Sequence, residues 1–128
     1  MIRQPVTHAP DGQLDLRRLR GLYRALGDET RLRIIGVLSE FGPMPVNELS
    51  TRVGLSQPLI SWHLRIMRLA GLIETRRQGR EVICRLRTAA FDELHRAEQL
   101  LLSGAAIPEP AAVPEHAVAN GEELADVG

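Results

Sequence analysis

Gln57, Ser61 and Arg65 recur at four-residue spacing in the middle of the chain, with Arg68 three residues further on. On a helix, that spacing gathers all four side chains on one face. Their chemistry suits hydrogen-bonded reading of a base edge. A Gln amide can take adenine with two hydrogen bonds, a Ser hydroxyl can donate or accept, and an Arg fork fits guanine or a phosphate. Pro58 and Trp62 lie on the same arc, opposite Ile60, Leu64 and Met67, whose i, i+4, i+7 spacing marks a buried stripe. On an isolated helix, the same polar arc would serve equally well as a solvated face. Trp62 is the only Trp, and two places are open to it. It can meet a thymine methyl or sugar at a groove edge, or it can pack against the preceding helix.

A second group of candidates follows. Arg76, Arg77 and Arg80 surround the tip of an expected β-hairpin, placed for phosphate contact or for entry into a narrow minor groove. The formal net charge is zero, but the charges are segregated. Between Ser50 and Arg87 stand eight Arg against only Glu74 and Glu81, whereas 104–128 carries five acids and neither Lys nor Arg. A basic block beside an acidic segment points to a polyanionic partner, with double-stranded DNA as the expectation.

These groups need elements to hold them. Leu16, Leu19, Leu22, Tyr23 and Leu26 form one apolar stripe at helical period, predicting a first helix over about 14–26 that ends at Gly27. Asp28 is placed to cap a second helix that buries Ile34, Ile35, Val37, Leu38 and Phe41 and stops at Gly42-Pro43-Met44-Pro45. A short third helix is expected over about 46–53, burying Val46, Leu49 and Val53. Gly54-Leu55-Ser56 then turns into a fourth helix, about 57–70. Gly54 takes the left-handed position, Ser56 the N-cap, and Pro58 is tolerated in the first turn. Two short helices joined this way form a helix-turn-helix. Two β-like runs, about 72–76 and 81–86, meet at Gly79. A fifth helix over about 88–103 carries Phe91, Leu94, Ala97, Leu101 and Leu102. The fold class is mainly α with a small two-stranded wing. The expected organisation is a loose leader at 1–13, a folded unit at 14–103 and a disordered acidic tail at 104–128.

Ala25-Leu26-Gly27-Asp28-Glu29-Thr30-Arg31-Leu32-Arg33-Ile34-Ile35, Val46-Asn47-Glu48-Leu49 and Gly54 through Leu64 together resemble the ArsR/SmtB family of winged-helix repressors. The likeness continues through Leu69-Ala70-Gly71-Leu72-Ile73 and Gly79-Arg80-Glu81-Val82. It implies a homodimer paired through the first and last helices, with Leu16, Leu19, Leu22, Tyr23, Phe91, Leu94 and Leu101 as dimerisation residues. A two-fold dimer would read an inverted repeat. It also implies repression by occupancy of an operator.

The sensing ligands of that family do not carry over. The arsenic-type site needs a Cys pair where this chain has Met44-Pro45-Val46-Asn47-Glu48. The zinc-type site would draw on Asp92, His95 and Glu98, which share a face, but no second His follows within the helix, and His116 lies in the tail. A structural role for His95 is therefore the expectation, with a metal-responsive repressor as the alternative. His63 borders the core stripe and is expected to be packed or hydrogen-bonded. Cys84 alternates with Val82 and Leu86 on one strand face and is expected to be an inert core thiol. With one Cys there is no intrachain disulfide. No nucleophile–base pair and no Gly-rich phosphate loop stands out, so neither enzyme activity nor a cofactor is expected. No apolar run could span a membrane, and no secretory signal is visible, so a cytoplasmic protein is expected. A winged helix used only for protein contact is the remaining alternative.

Overall fold

Two aspartates set the first two helices. In the computed structural model, which describes residues 14–104, Asp15 Oδ1 accepts from the Arg18 backbone N–H at 3.2 Å and opens α1 (Leu16–Leu26). Asp28 Oδ1 accepts from the Arg31 N–H at 3.1 Å and opens α2 (Glu29–Phe41). That hydrogen bond, ahead of the nearby charges, holds the Asp28 carboxyl below its usual value. The first helix starts two residues later than the periodicity predicts, because Leu14 precedes the cap and is buried in the core instead. The leader, His116 and the tail beyond Gly104 lie outside the described residues.

The stop after α2 is more than a stop. Met44–Pro45 forms a short strand β1 that pairs antiparallel with β3 (Glu81–Leu86), Met44 opposite Cys84 and Pro45 opposite Ile83. With β2 (Ile73–Gln78) on the far side, the sheet order is β1-β3-β2, so the expected two-stranded wing is three-stranded. Two residues carry no readable period, and Pro45 is tolerated because β1 is an edge that needs no N–H there. Between these strands lie α3 (Val46–Val53) and α4 (Gln57–Leu69), and α5 (Thr88–Ser103) closes the chain.

The core is continuous. Leu22, Ile34, Leu49, Ile60, Met67, Leu72, Ile73 and Cys84 are all essentially inaccessible and draw every layer together. At roughly 1.5–3 kcal/mol per fully buried aliphatic side chain, this cluster is the main term holding the sheet to the helices. Phe41 departs from expectation. It sits in the last turn of α2, 51% exposed, with the Arg52 guanidinium 4.0 Å from its ring centre. Phe41 shares the stripe of Ile34 and Leu38 but stands at the very end of the helix, and a cation–π contact with Arg52 takes the place of burial.

The α3–α4 turn is built as its residues require. Gly54 takes φ 83°, ψ 30°, the left-handed conformation that a glycine adopts without penalty. The Gly54 and Leu55 N–H groups both donate to the Ser50 carbonyl, and the buried Ser50 hydroxyl donates to the Leu55 carbonyl. Ser56 occupies the N-cap position with extended backbone, but its side chain makes no cap hydrogen bond, contrary to expectation. Pro58 removes the N2 amide as a donor, and Ser56 does not take up the N3 amide of Leu59, the position that Asp15 and Asp28 bond on their own helices.

Candidate nucleic-acid interface

α4 has a buried side and an exposed side, and the exposed side also carries the apolar Leu59 and Leu69. Ile60, His63, Leu64 and Met67 are buried, while Gln57, Pro58, Ser61, Trp62, Arg65 and Arg68 are all exposed. Trp62 is 57% exposed and is not packed into the core.

His63 is held by a network that the sequence did not announce. The Arg31 guanidinium donates to the Ala25 carbonyl at 2.6 Å and the Arg24 carbonyl at 3.4 Å, and its Nη1 lies 3.2 Å from His63 Nδ1. One side chain thus ties the end of α1 and the start of α2 to the middle of α4. A second arginine does similar work at the other end of α4. Arg18 pairs with the buried Glu93 of α5 at 3.1 Å, and its Nη1 donates to the Ala70 carbonyl at 2.5 Å. Both arginines sit in apparently ordinary helical polar positions, and only the packing shows that they point inward.

The wing flanks α4. In the β2–β3 register Gln78 faces Glu81, leaving Gly79 and Arg80 as a two-residue turn with φ 64° at Gly79 and no positive φ at Arg80. That is the type II′ pattern suited to a twisted hairpin. Between α4 and the wing lies an open cleft of about 390 Å³ lined by Asn47, Gln57, Ser61, Arg68, Thr75 and Arg80 among others. Arg68 reaches toward Thr75 Oγ1 at 3.5 Å across it. The wing arginines are split between two sides. Arg80 borders this cleft and Arg77 shares the strand face of Thr75 and Val82 that lines it, whereas Arg76 faces a separate recess with Arg85 and Ile83. Arg85 itself approaches Glu74 at 3.9 Å.

The residues expected to pair two chains are also divided. Leu19, Leu22 and Leu94 are buried within the chain, Phe91 and Leu101 are half-buried, and Leu16 and Tyr23 remain 42% exposed. Leu102 adds an apolar side chain that is 85% exposed on α5, and the Tyr23 hydroxyl donates to Glu98 Oε2 at 2.9 Å. His95 Nδ1 lies 3.3 Å from Glu98 Oε1 on an exposed helix face. Among the described residues, no group of three His, Cys, Asp or Glu side chains is arranged to hold a metal ion. Cys84, the chain's one thiol, is fully buried on β3, and burial pushes its pKa up to about 11. The donor set therefore does not fit a thiolate-bound arsenic or metal centre. No helix among the described residues is long and apolar enough to cross a membrane.

A helix-turn-helix whose second helix turns a polar face outward beside a hairpin wing defines a winged helix-turn-helix, a DNA-binding architecture. Residues 28–75 match the family described as bacterial regulatory protein, arsR family. The arsenical resistance operon repressor of Escherichia coli is 42% identical over 85 residues, covering 61% of this chain and 73% of that protein. The HTH-type transcriptional regulator KmtR of Mycobacterium tuberculosis is 35% identical over 126 residues, covering 93% and 92%. The chain belongs to the ArsR family and is a DNA-binding transcriptional regulator, not an enzyme. Solved structures agree. An ArsR-like transcriptional regulator from a Rhodococcus species superposes with a TM-score of 0.64 at 28% identity, covering 70% of this chain and 83% of that one. A homodimeric winged helix-turn-helix DNA-binding domain from Mycobacterium bovis gives 0.56 at 25% identity, covering 70% and 80%.

Proposed function

We propose that residues 14–103 form a DNA-binding and dimerisation unit that represses transcription by occupying an inverted-repeat operator as a homodimer. The observation that carries this is the exposed polar arc of α4, formed by Gln57, Ser61, Arg65 and Arg68, set beside an arginine-bearing wing. Gln57, Ser61 and Arg65 face bases and Arg68 and Arg80 grip phosphate from the cleft, with Pro58 and Trp62 completing the contact surface. Arg76 and Arg77, on opposite faces of β2, add affinity through the backbone or a narrow minor groove. Two relatives, one a repressor and one a homodimeric DNA-binding domain, favour the same reading.

Pairing through α1 and α5 is supported by the exposed Leu16, Tyr23 and Leu102, apolar groups that a second copy would cover. Two-fold pairing places the half-sites about 10 base pairs, or a multiple of that, apart. The reading is tested by gel shift with the DNA upstream of the protein's own gene, alongside the solution mass of the free protein. A salt-sensitive shift that resists nonspecific competitor, from a species of twice the chain mass, is expected. No such shift, or a monomer that binds as well as any dimer, would sink it.

A further inference from the structure

We infer that the acidic segment 105–128 of this chain docks on an apolar strip of α4 and shields that helix from DNA. The exposed side of α4 consists of two strips. Gln57, Ser61 and Arg68 line the cleft toward the wing, with Arg65 beside them. Leu59, Trp62, Ile66 and Leu69, at i, i+3, i+7 and i+10, form the second strip and are apolar throughout. Leu59 is 42%, Trp62 57% and Leu69 76% exposed, and Ile66 is half-buried. A row of large apolar groups at the surface marks a contact site. A recognition helix meets bases mainly through its first turns, so a duplex leaves Leu69, at the end of α4, uncovered.

Charge and position select the occupant. Residues 14–104 carry fifteen Arg against ten acids, whereas 105–128 carry Glu109, Glu115, Glu122, Glu123 and Asp126 with no Lys or Arg. Ile107, Val113, Val118 and Leu124 fall among those acids, so the segment matches an apolar strip edged by Arg65 and Arg68. A second copy would bring the same arginines to that edge, and they repel. The segment also starts within reach. Glu98 of α5 holds Tyr23 near the end of α1, and Arg31 ties that end to His63 in the middle of α4. Gly104 follows Glu98 by six residues, and the 24 residues after it span up to roughly 80 Å. Exposed ion pairs are individually weak, but the tether holds the segment at an effective concentration of about a millimolar. The docking stands apart from the groove reading of α4, and only its effect on DNA rests on that reading.

The test uses the full chain and two full-length variants. One is neutralised, with the four Glu of 105–128 changed to Gln together with Asp126→Asn, and the other is Leu69→Ser. Cooperative melting establishes that both are folded. The single Trp reports on the strip directly. Without DNA at low salt, acrylamide should quench wild-type Trp62 roughly half as efficiently as in either variant, equally at every protein concentration. Salt at about 1 M should remove that protection. On the tightest duplex recovered from a randomised pool, the neutralised variant should bind roughly fivefold more tightly than wild type at low salt. Leu69→Ser changes no charge and should also gain affinity, which relief of charge repulsion alone cannot supply. Equal quenching in wild type and the neutralised variant, or protection that grows with protein concentration, overturns the docking. Protection lost in both variants with duplex affinity unchanged overturns the shielding of DNA. If quenching behaves as expected and no duplex is retained, the groove reading of α4 fails and the docking stands.

Discussion

Under the proposed function, exposed side chains on α4 and the wing divide into those that choose a sequence and those that only hold it. Gln57 is at the start of α4 with a two-donor, two-acceptor amide free to meet a base. Gln57→Ala should cost about 1–3 kcal/mol against the preferred base at one position and little at others. Arg80, at the hairpin turn, carries charge but no such edge, so Arg80→Ala should weaken all sequences alike and reduce the salt slope by about one. Affinity measured across operator variants and salt concentrations separates the two, and uniform loss for Gln57→Ala would refute its base-reading role. Cys84 makes the opposite case, a reactive group type held inert. Its thiol titrates near 9.0 when exposed and near 11 when folded, so above about pH 9 the unfolded state sheds its proton first and folding stability falls. Below pH 9 it contributes no pH dependence. A thiol reagent at pH 8 should therefore label the protein only as fast as it unfolds, and rapid labelling of native protein would show that the burial is wrong.

At the scale of elements, the turn between α3 and α4 sets the angle at which α4 is offered. Gly54 has φ 83° with open space where a Cβ would stand, so Gly54→Ala strains the backbone without any clash, at about 1–2 kcal/mol. Gly36, inside α2 with a helical backbone and equally open surroundings, is the control: Gly36→Ala should stabilise by about 0.5–1 kcal/mol. Opposite shifts in thermal melting are expected from the pair, and a neutral Gly54→Ala would contradict the left-handed turn. Much of this layout was legible in advance. Asp28 as a cap, Gly54 and Gly79 as left-handed turns, and the helical periods of α3 and α4 are local signals in neighbouring residues. What stayed hidden depends on distant partners. Strand β1 exists only because β3 lies beside it, and Phe41 lies against Arg52 of α3 and not in the core. Arg18 and Arg31 point inward because Glu93 and His63 are 75 and 32 residues away. Ser56 holds the N-cap backbone conformation that its residue type predicts, without the side-chain hydrogen bond.

Across the whole molecule, the fold joins three surfaces through one core. The exposed arc of α4 faces outward, the wing stands beside it, and the exposed apolar groups of α1 and α5 form a third surface. Arg18 links α1, α5 and the end of α4 in one set of contacts. A change at the proposed dimer interface thus has a short physical route to the proposed reading helix. The familiar thiolate ligands that feed such a route in arsenic-type sensors are missing from the start of α3, so any trigger must use other groups. The central claim is tested most directly by fluorescence anisotropy of a labelled duplex bearing the recovered half-site as an inverted repeat, compared with a single half-site. The measurement spans a range of salt concentrations, with Ser61→Glu as the probe of the α4 face. The account predicts two chains per inverted repeat, tighter binding than to the single half-site, steep weakening with salt, and loss of binding in the folded Ser61→Glu variant. Undiminished binding by Ser61→Glu, or equal affinity for an unrelated duplex, would contradict it.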